Sequence, residues 1–268
     1  MENKVVVISG ASGGIGAALA EIFSDRKSKV VLAARDPGRL KEVVEKLIRN
    51  GGDAFAVQCD VSQESDCRHL MEQTVNRYGK IDVLINNAGI SMRALFEDLN
   101  LDVLRQLIDI NFWGTVYCTK YAFPHLLVSR GTLVGISSIA GKKGLPGRTG
   151  YSASKFAMEG FLETIRIENL KKGLHVLIAC PGFTATNIRN TALGKDGRQQ
   201  GESPRKEEEM MSAMEVAQDI YNAVVKRKRD LILTRQGKLT VWLNKFFPSW
   251  MDKMVYNHMA REKDSPFK

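Results

Sequence analysis

Tyr151 and Lys155 stand four residues apart in Tyr151-Ser152-Ala153-Ser154-Lys155, at the head of a segment whose apolar residues Met158, Phe161, Leu162, Ile165 and Ile167 follow a helical pattern. On a helix the two side chains share a face. A phenol, with a reference pKa of ~10, is biased toward its ionised form by a nearby ammonium, so such a pair can exchange a proton with a substrate oxygen closer to neutral pH. The bland alternative is an exposed helix face, and the spacing alone does not choose between them.

A second group of residues suits a phosphate. Ser9-Gly10-Ala11-Ser12-Gly13-Gly14-Ile15-Gly16 follows an apolar run and precedes the helical pattern that begins at Ala17. A glycine turn between strand and helix brings the backbone close to a pyrophosphate, whose charge the free amides and dipole of the helix start favour. The spacing Gly10, Gly14, Gly16 departs from G-x-G-x-x-G, and a plain tight turn is the alternative. The second strand ends Leu32-Ala33-Ala34-Arg35, with no carboxylate for ribose hydroxyls and an arginine placed for a 2′-phosphate. This predicts NADP(H) as cofactor. Arg39 is either a helper or an exposed helix residue.

Elements able to position these groups are legible. Apolar, β-branched runs at Val5–Ile8, Val30–Ala33, Ala54–Val57, Val83–Ile85, Leu133–Ile136, Val176–Ala179 and Leu231–Leu233 alternate with helical patterns. They predict a seven-stranded parallel sheet with helices on both faces, a doubly wound, Rossmann-like α/β fold. Asp36-Pro37 and Ser212 with Glu215 mark helix starts. Residues 1–236 read as one domain, with 189–209 as a mobile loop over the carboxyl edge, with or without a short helix. Residues 237–268 read as a helical extension of that domain.

With 268 residues, 44% of them hydrophobic, the chain can bury one large core. The opening apolar stretch is too short for a signal peptide, and no run reaches the ~20 residues of a bilayer span. Cys59, Cys67, Cys118 and Cys180 lie far apart without zinc-ligand spacing, so no metal is expected and a cytoplasmic setting with reduced thiols is.

Taken together, the motifs resemble the short-chain dehydrogenase/reductase family, in order, from residue 4 to about 190. The glycine motif corresponds to Ser9 through Gly16, with serine in place of the usual threonine. Asp60-Val61 is similar to the pair that contacts adenine, and Asn86-Asn87-Ala88-Gly89 to the segment that ends the fourth strand beneath the cofactor. Asn111 and Ser138, thirteen residues before Tyr151, match the remaining members of the catalytic tetrad. Pro181-Gly182, with Thr184 and Thr186, resembles the nicotinamide-side motif. The resemblance implies an NADP(H)-dependent oxidoreductase of the carbonyl reductase kind, interconverting carbonyl and alcohol. Ser138 would hold the substrate oxygen, Tyr151 would protonate it, Lys155 would hold the ribose and lower the tyrosine pKa, and Asn111 would anchor a water relay. Gly10, Ser12, Gly13, Gly14, Ile15, Gly16, Arg35, Asp60, Val61, Asn87, Ala88, Gly89, Pro181, Gly182, Thr184 and Thr186 would join Tyr151 and Lys155 in holding the cofactor. A homodimer or homotetramer is implied. The alternative is an NADP(H)-binding sensor or scaffold without catalysis.

Met92, Leu145, Phe183 and the 189–209 loop are expected to border the substrate, a hydrophobic ketone or aldehyde; Lys142, Lys143 and Arg148 would either attract an anionic group or face solvent. Ser137 and Cys180 read as packing or turn residues. Of the net charge of +9, the stretch from Lys226 onward carries 11 Lys or Arg against 4 Asp or Glu. There Leu239, Trp242, Leu243 and Phe246 fall at i, i+3, i+4 and i+7, and Trp250, Met251, Met254 and Val255 follow Pro248, an amphipathic helix pair. Its expected roles are packing on the core, roofing the cleft or joining subunits, with peripheral membrane contact as the alternative. Nucleic-acid binding rests on charge alone and is set aside.

Overall fold

The computed structural model describes residues 1–203, 208 and 210–267. Seven strands, β1 (Val5–Ser9), β2 (Lys29–Ala34), β3 (Asp53–Gln58), β4 (Val83–Asn86), β5 (Thr132–Ile136), β6 (His175–Cys180) and β7 (Asp230–Ile232), form one parallel sheet in the order β3-β2-β1-β4-β5-β6-β7. Each expected strand is present, with ends shifted by one residue at most. Alternate side chains supply two cores: Val6 and Ile8 pack toward one face, Val5 and Val7 toward the other. In the five inner strands, burial on both faces is why the residues are mainly apolar instead of alternating.

The helices are α1 (Gly14–Asp25), α2 (Pro37–Arg49), α3 (Glu64–Tyr78), α4 (Leu101–Ile108), α5 (Gly114–Val128), α6 (Thr149–Glu168), α7 (Ala213–Val225), α8 (Arg235–Phe246) and α9 (Pro248–Ala260). Asp36 caps α2 by accepting the Arg39 amide, with Pro37 next, and Ser212 and Glu215 form a reciprocal capping box on α7. A π-helical turn, Asp109–Trp113, joins α4 to α5.

Within the described residues the 189–203 segment contains no helix. Leu193 bridges to Met92 and to Gln199, and is buried beside Met92. The period is absent because this backbone folds into irregular turns, such as Gly194 with Arg198 and Gln200 with Ala192, and ties Leu193 to Ser91 and Arg93. Positions 204–207 and 209 of the expected loop lie outside the described residues. A two-residue ladder, Thr184–Ala185 with Met211–Ser212, ties the segment after β6 to the start of α7 and is too short to leave a periodic signal.

The strand order reverses between β1 and β4, and their amino ends are pinned together by one carboxylate. Buried Asp82 accepts hydrogen bonds from the Val5 amide at 2.9 Å and Lys4 Nζ at 2.8 Å, and Lys80 Nζ lies 2.9 Å away. Burial raises the Asp82 pKa, but these three partners outweigh it and hold the carboxyl below its ordinary value. A depressed folded-state pKa contributes stability above the unfolded value of ~3.9, which is lost as pH falls through the lower folded value. Asp82→Asn is therefore expected to cost about 1–3 kcal/mol at neutral pH and to flatten the acid limb of stability; urea titrations across the acid range check this, and an acid limb as steep as the parent's contradicts it.

Candidate active site

At the carboxyl ends of β1 and β4 the chain crosses itself closely. The Ser9 hydroxyl accepts the amides of Asn87 and Ala88, at 3.0 and 3.1 Å, and donates to the Ile85 carbonyl at 3.4 Å. Asn87 Nδ2 in turn donates to the carbonyls of Ser9 and Gly10, at 2.9 and 3.1 Å. Serine therefore suffices at position 9, since the hydroxyl is what the site uses. Gly10 has φ +66°, and a Cβ there would meet Ala88 Cα at 2.8 Å; one on Gly16 would meet the Gly10 carbonyl oxygen at 2.3 Å. Only glycine fits either place. Gly13 caps α1 without a side-chain hydrogen bond, so the helix start is left to its backbone amides, and Ser12 and Ile15 flank it. The cradle thus fits a phosphate group.

Arg35 follows β2 directly and is exposed, and the Ala11 amide donates to the Ala33 carbonyl, which sets the glycine turn beside this strand end. Arg39 pairs with Asp36, which makes it an exposed helix residue. Asp60 Oδ1 accepts the amide and hydroxyl of Ser62, while Val61 is buried under Gly114.

A cavity of about 750 Å³ opens beyond this cradle, lined among others by Ile15, Asn87, Gly89, Ser138, Tyr151, Lys155, Pro181, Gly182, Thr184 and Thr186. Ile15 and Thr186, 171 positions apart, thus meet around one space. The Thr186 methyl comes within 3.3 Å of where a Gly14 Cβ would stand, closing the segment after β6 onto the glycine turn. Arg189 holds that segment in shape through the Thr184 carbonyl at 2.8 Å. Gly10, Gly14, Gly16, Arg35, Asp60, Val61, Ala88 and Asn111 shape or flank the site without lining the cavity.

Ser138 caps a short 3-10 turn by accepting the Ala140 amide at 3.2 Å, and it lines the cavity together with Tyr151. Asn111, fully buried in the π-turn, exchanges two hydrogen bonds with the Ile90 backbone, at 2.8 and 3.0 Å, and donates to Ser154 Oγ at 2.9 Å. Ser154 donates to the Tyr151 carbonyl at 2.8 Å. The asparagine side chain therefore splints the strand-β4 exit to the helix bearing the tyrosine.

One electrostatic expectation is corrected. Burial raises the Tyr151 pKa above its ordinary value, with the nearby Ser138 hydroxyl and the Arg148 charge opposing. Lys155 does not lower it: its Nζ lies 5.8 Å from the ring centroid, donates to the Ile136 carbonyl at 2.8 Å, and is itself pushed down to about 8 by burial.

Four basic residues near the cavity are engaged by carboxylates. Lys142 pairs with Glu159 at 2.6 Å, Lys143 with Asp252, and Arg148 and Arg93 with buried Glu262, each at 3.6 Å. Of these, Arg148 and Glu262 line the cavity, as do Leu145 and Phe183; Met92 lies behind it in its own cluster. Glu159 was not visible as a site residue. It accepts the Ser137 hydroxyl at 2.6 Å and the Cys180 thiol at 3.4 Å, so both residues belong to a buried polar network beneath Ser138. Burial, reinforced by Glu159, keeps the Cys180 thiol protonated. The only sequence signal was its position one helical turn past Lys155.

The negative charge of Glu159 raises the Lys155 pKa against burial. Glu159→Gln should therefore move the Lys155 titration below about 8, the value set in the parent protein, and lower the melting temperature. NMR titration of labelled lysine side chains reads the shift; an unmoved Lys155 would sink the assignment.

Residues 4–196 match the family model of short chain dehydrogenases. Dehydrogenase/reductase SDR family member 7B of Mus musculus is 33% identical over 271 residues, spanning 99% of this chain and 84% of that protein. The 11-beta-hydroxysteroid dehydrogenase A of Sesamum indicum is 34% identical over 264 residues, 95% of this chain and 76% of that one. Among solved structures, an alcohol dehydrogenase of the archaeon Thermococcus sibiricus complexed with 5-hydroxy-NADP superposes with a TM-score of 0.77 at 25% identity, covering 86% of this chain and 95% of that one.

Proposed function

The chain belongs to the short-chain dehydrogenase/reductase family of oxidoreductases, and from that premise we propose that it interconverts a bulky hydrophobic ketone or aldehyde and its alcohol with NADP(H). The observation that carries this reading is the cavity in which Ile15 of the glycine turn, Ser138, Tyr151, Lys155 and the segment from Pro181 to Thr186 meet. When bound, the nicotinamide cofactor supplies or accepts hydride.

The protein's own residues bind, orient and move one proton. The glycine turn and the free amides of α1 hold the pyrophosphate, Asp60 and Val61 the adenine side, and Asn87, Ala88 and Gly89 the floor between them. Pro181, Gly182, Thr184 and Thr186 hold the nicotinamide side. Ser138 positions the substrate oxygen beside the Tyr151 hydroxyl, a pairing supported by the lining of one cavity by both residues. Because Tyr151 is held protonated well above neutral pH, it suits donation to a carbonyl oxygen, which favours the reductive direction. Lys155 holds ribose hydroxyls, and Asn111 holds the helix that bears Tyr151 through Ser154.

The substrate class follows from the lining. Leu145, Phe183, Leu239, Leu243, Trp250 and Met251 supply apolar wall, while Arg148 is engaged by Glu262. Such a pocket takes an apolar molecule with few polar groups. The sesame relative named as a hydroxysteroid dehydrogenase supports a ketone of steroid-like bulk.

The NADP(H) preference rests on Arg35 and on the absence of a carboxylate at Ala33 and Ala34. Arg35→Ala should weaken NADPH binding roughly ten- to a hundredfold and leave NADH nearly unchanged; titration of both cofactors decides, and equal losses refute the 2′-phosphate role. Tyr151→Phe should keep NADPH binding but lower kcat for ketone reduction by roughly 10²-fold or more. Turnover near the parent rate in an NADPH-oxidation assay would mean that another group donates the proton.

A further inference from the structure

Helices α8 and α9 meet two different surroundings. Inward, Met251, Val255 and Met259 pack with Leu145, Phe183 and Leu243 and close one side of the cavity. Outward, Leu239, Trp242 and Phe246 lie along one side of α8 at 55%, 56% and 61% exposure, and Phe247 and Trp250 follow across the turn at 56% and 50%. The Trp242 and Phe246 rings rest against each other, centroids 5.3 Å apart. Single exposed apolar residues are ordinary on any protein, but five at one helix corner form a patch that marks an interaction surface. Leu239, Trp250 and Met254 are exposed and also line the cavity, so apolar surface runs unbroken from outside into the pocket.

Charge decides what this patch faces. Arg235, Lys238, Lys245, Lys253 and Arg261 are exposed, and among the described residues none has an ion-pair partner. Asp252, the one carboxylate between Arg235 and Arg261, is already engaged by Lys143. A second copy docking here about a twofold axis would set these cations against themselves. An anionic bilayer attracts every one of them and accepts indole and phenyl rings at the level of its headgroups. No helix among the described residues is long and apolar enough to cross a membrane, so the contact lies in the plane of the surface.

We propose that the α8–α9 corner docks on an anionic lipid bilayer, with the Trp242 and Phe246 rings in the interface and the Leu239–Trp250–Met254 mouth opening toward the lipid, so that hydrophobic substrate passes between bilayer and cavity. Docking stands on the surface chemistry alone; delivery rests on the oxidoreductase reading above.

The test is flotation of the full chain with phosphatidylcholine vesicles that contain or lack phosphatidylserine. Co-flotation with the serine-containing vesicles only, weakened by high salt, is expected. Trp242 and Phe246 do not line the cavity, so Trp242→Ser with Phe246→Ser should reduce vesicle binding roughly tenfold or more while leaving turnover of a water-soluble carbonyl unchanged. If that variant does not fold, Lys238→Glu with Lys245→Glu provides a second route to a roughly tenfold loss. No flotation with anionic vesicles, or equal flotation of parent and both variants, overturns docking. Sedimentation velocity showing a dimer that the substitutions dissolve, with no vesicle binding, assigns the face to a second copy instead. Flotation as expected in a protein that reduces no carbonyl keeps docking and removes both delivery and the proposed reaction.

Discussion

Everything at the site hangs on how closely two strand ends are allowed to approach. The Ser9 hydroxyl and the Asn87 amide stitch the exits of β1 and β4 together, and Gly10 and Gly16 leave the room that the crossing needs. At this point the sheet order reverses, so the crossovers leave to opposite sides and open a crevice that no side chain fills. Asp82 makes the corresponding tie at the other end of the same two strands, far from any chemistry. With both ends fixed, the register Val7 with Leu84 and Ile8 with Ile85 follows, and with it the height at which Gly89 and the Asn111 splint present themselves.

A second constraint is electrical. The cavity needs a protonated phenol and a lysine close together under an apolar roof, surroundings that penalise charge. Lys155 yields to that penalty and sits near 8, whereas Lys142, Lys143, Arg93 and Arg148 escape it by pairing. Glu159 does two things at once: it neutralises Lys142 and, through Ser137, fixes the backbone from which Ser138 lines the cavity. The carboxylates around the pocket thus leave it apolar in effect although basic residues surround it.

Why some of this was readable in the chain and some was not follows from how far each signal extends. Strands buried on both faces write themselves as unbroken apolar runs, and caps such as Asp36 and Ser212 act within four residues, so both are local. The glycine turn and the Tyr151–Lys155 pair are local too. Glu159, Ser137 and Cys180, or Arg93, Arg148 and Glu262, are partners only after folding, and nothing in their spacing announces it. The expected influence of Lys155 on Tyr151 failed for a related reason: helical spacing places two side chains on one face but does not say that the ammonium will turn to the Ile136 carbonyl. The 189–203 segment was readable only as lacking a period, because its own hydrogen bonds make irregular turns and Leu193 is tied to Ser91 and Arg93, a hundred residues away.

The C-terminal helices show how one amphipathic pattern can serve two faces. Apolar residues on α8 and α9 exceed what the interior accommodates: Met251, Val255 and Met259 fill it, and the tryptophans remain outside. The inner face is not passive, because just past α9 Glu262 grips Arg148, and the Arg148 charge is one of the two influences that pull the Tyr151 pKa down against burial. A displacement of α9 that freed Arg148 from its carboxylate would strengthen that pull, by the ordinary rule that an uncompensated cation favours a nearby anion. The roof that sets which molecules enter is therefore joined, through one ion pair, to the group that would protonate them.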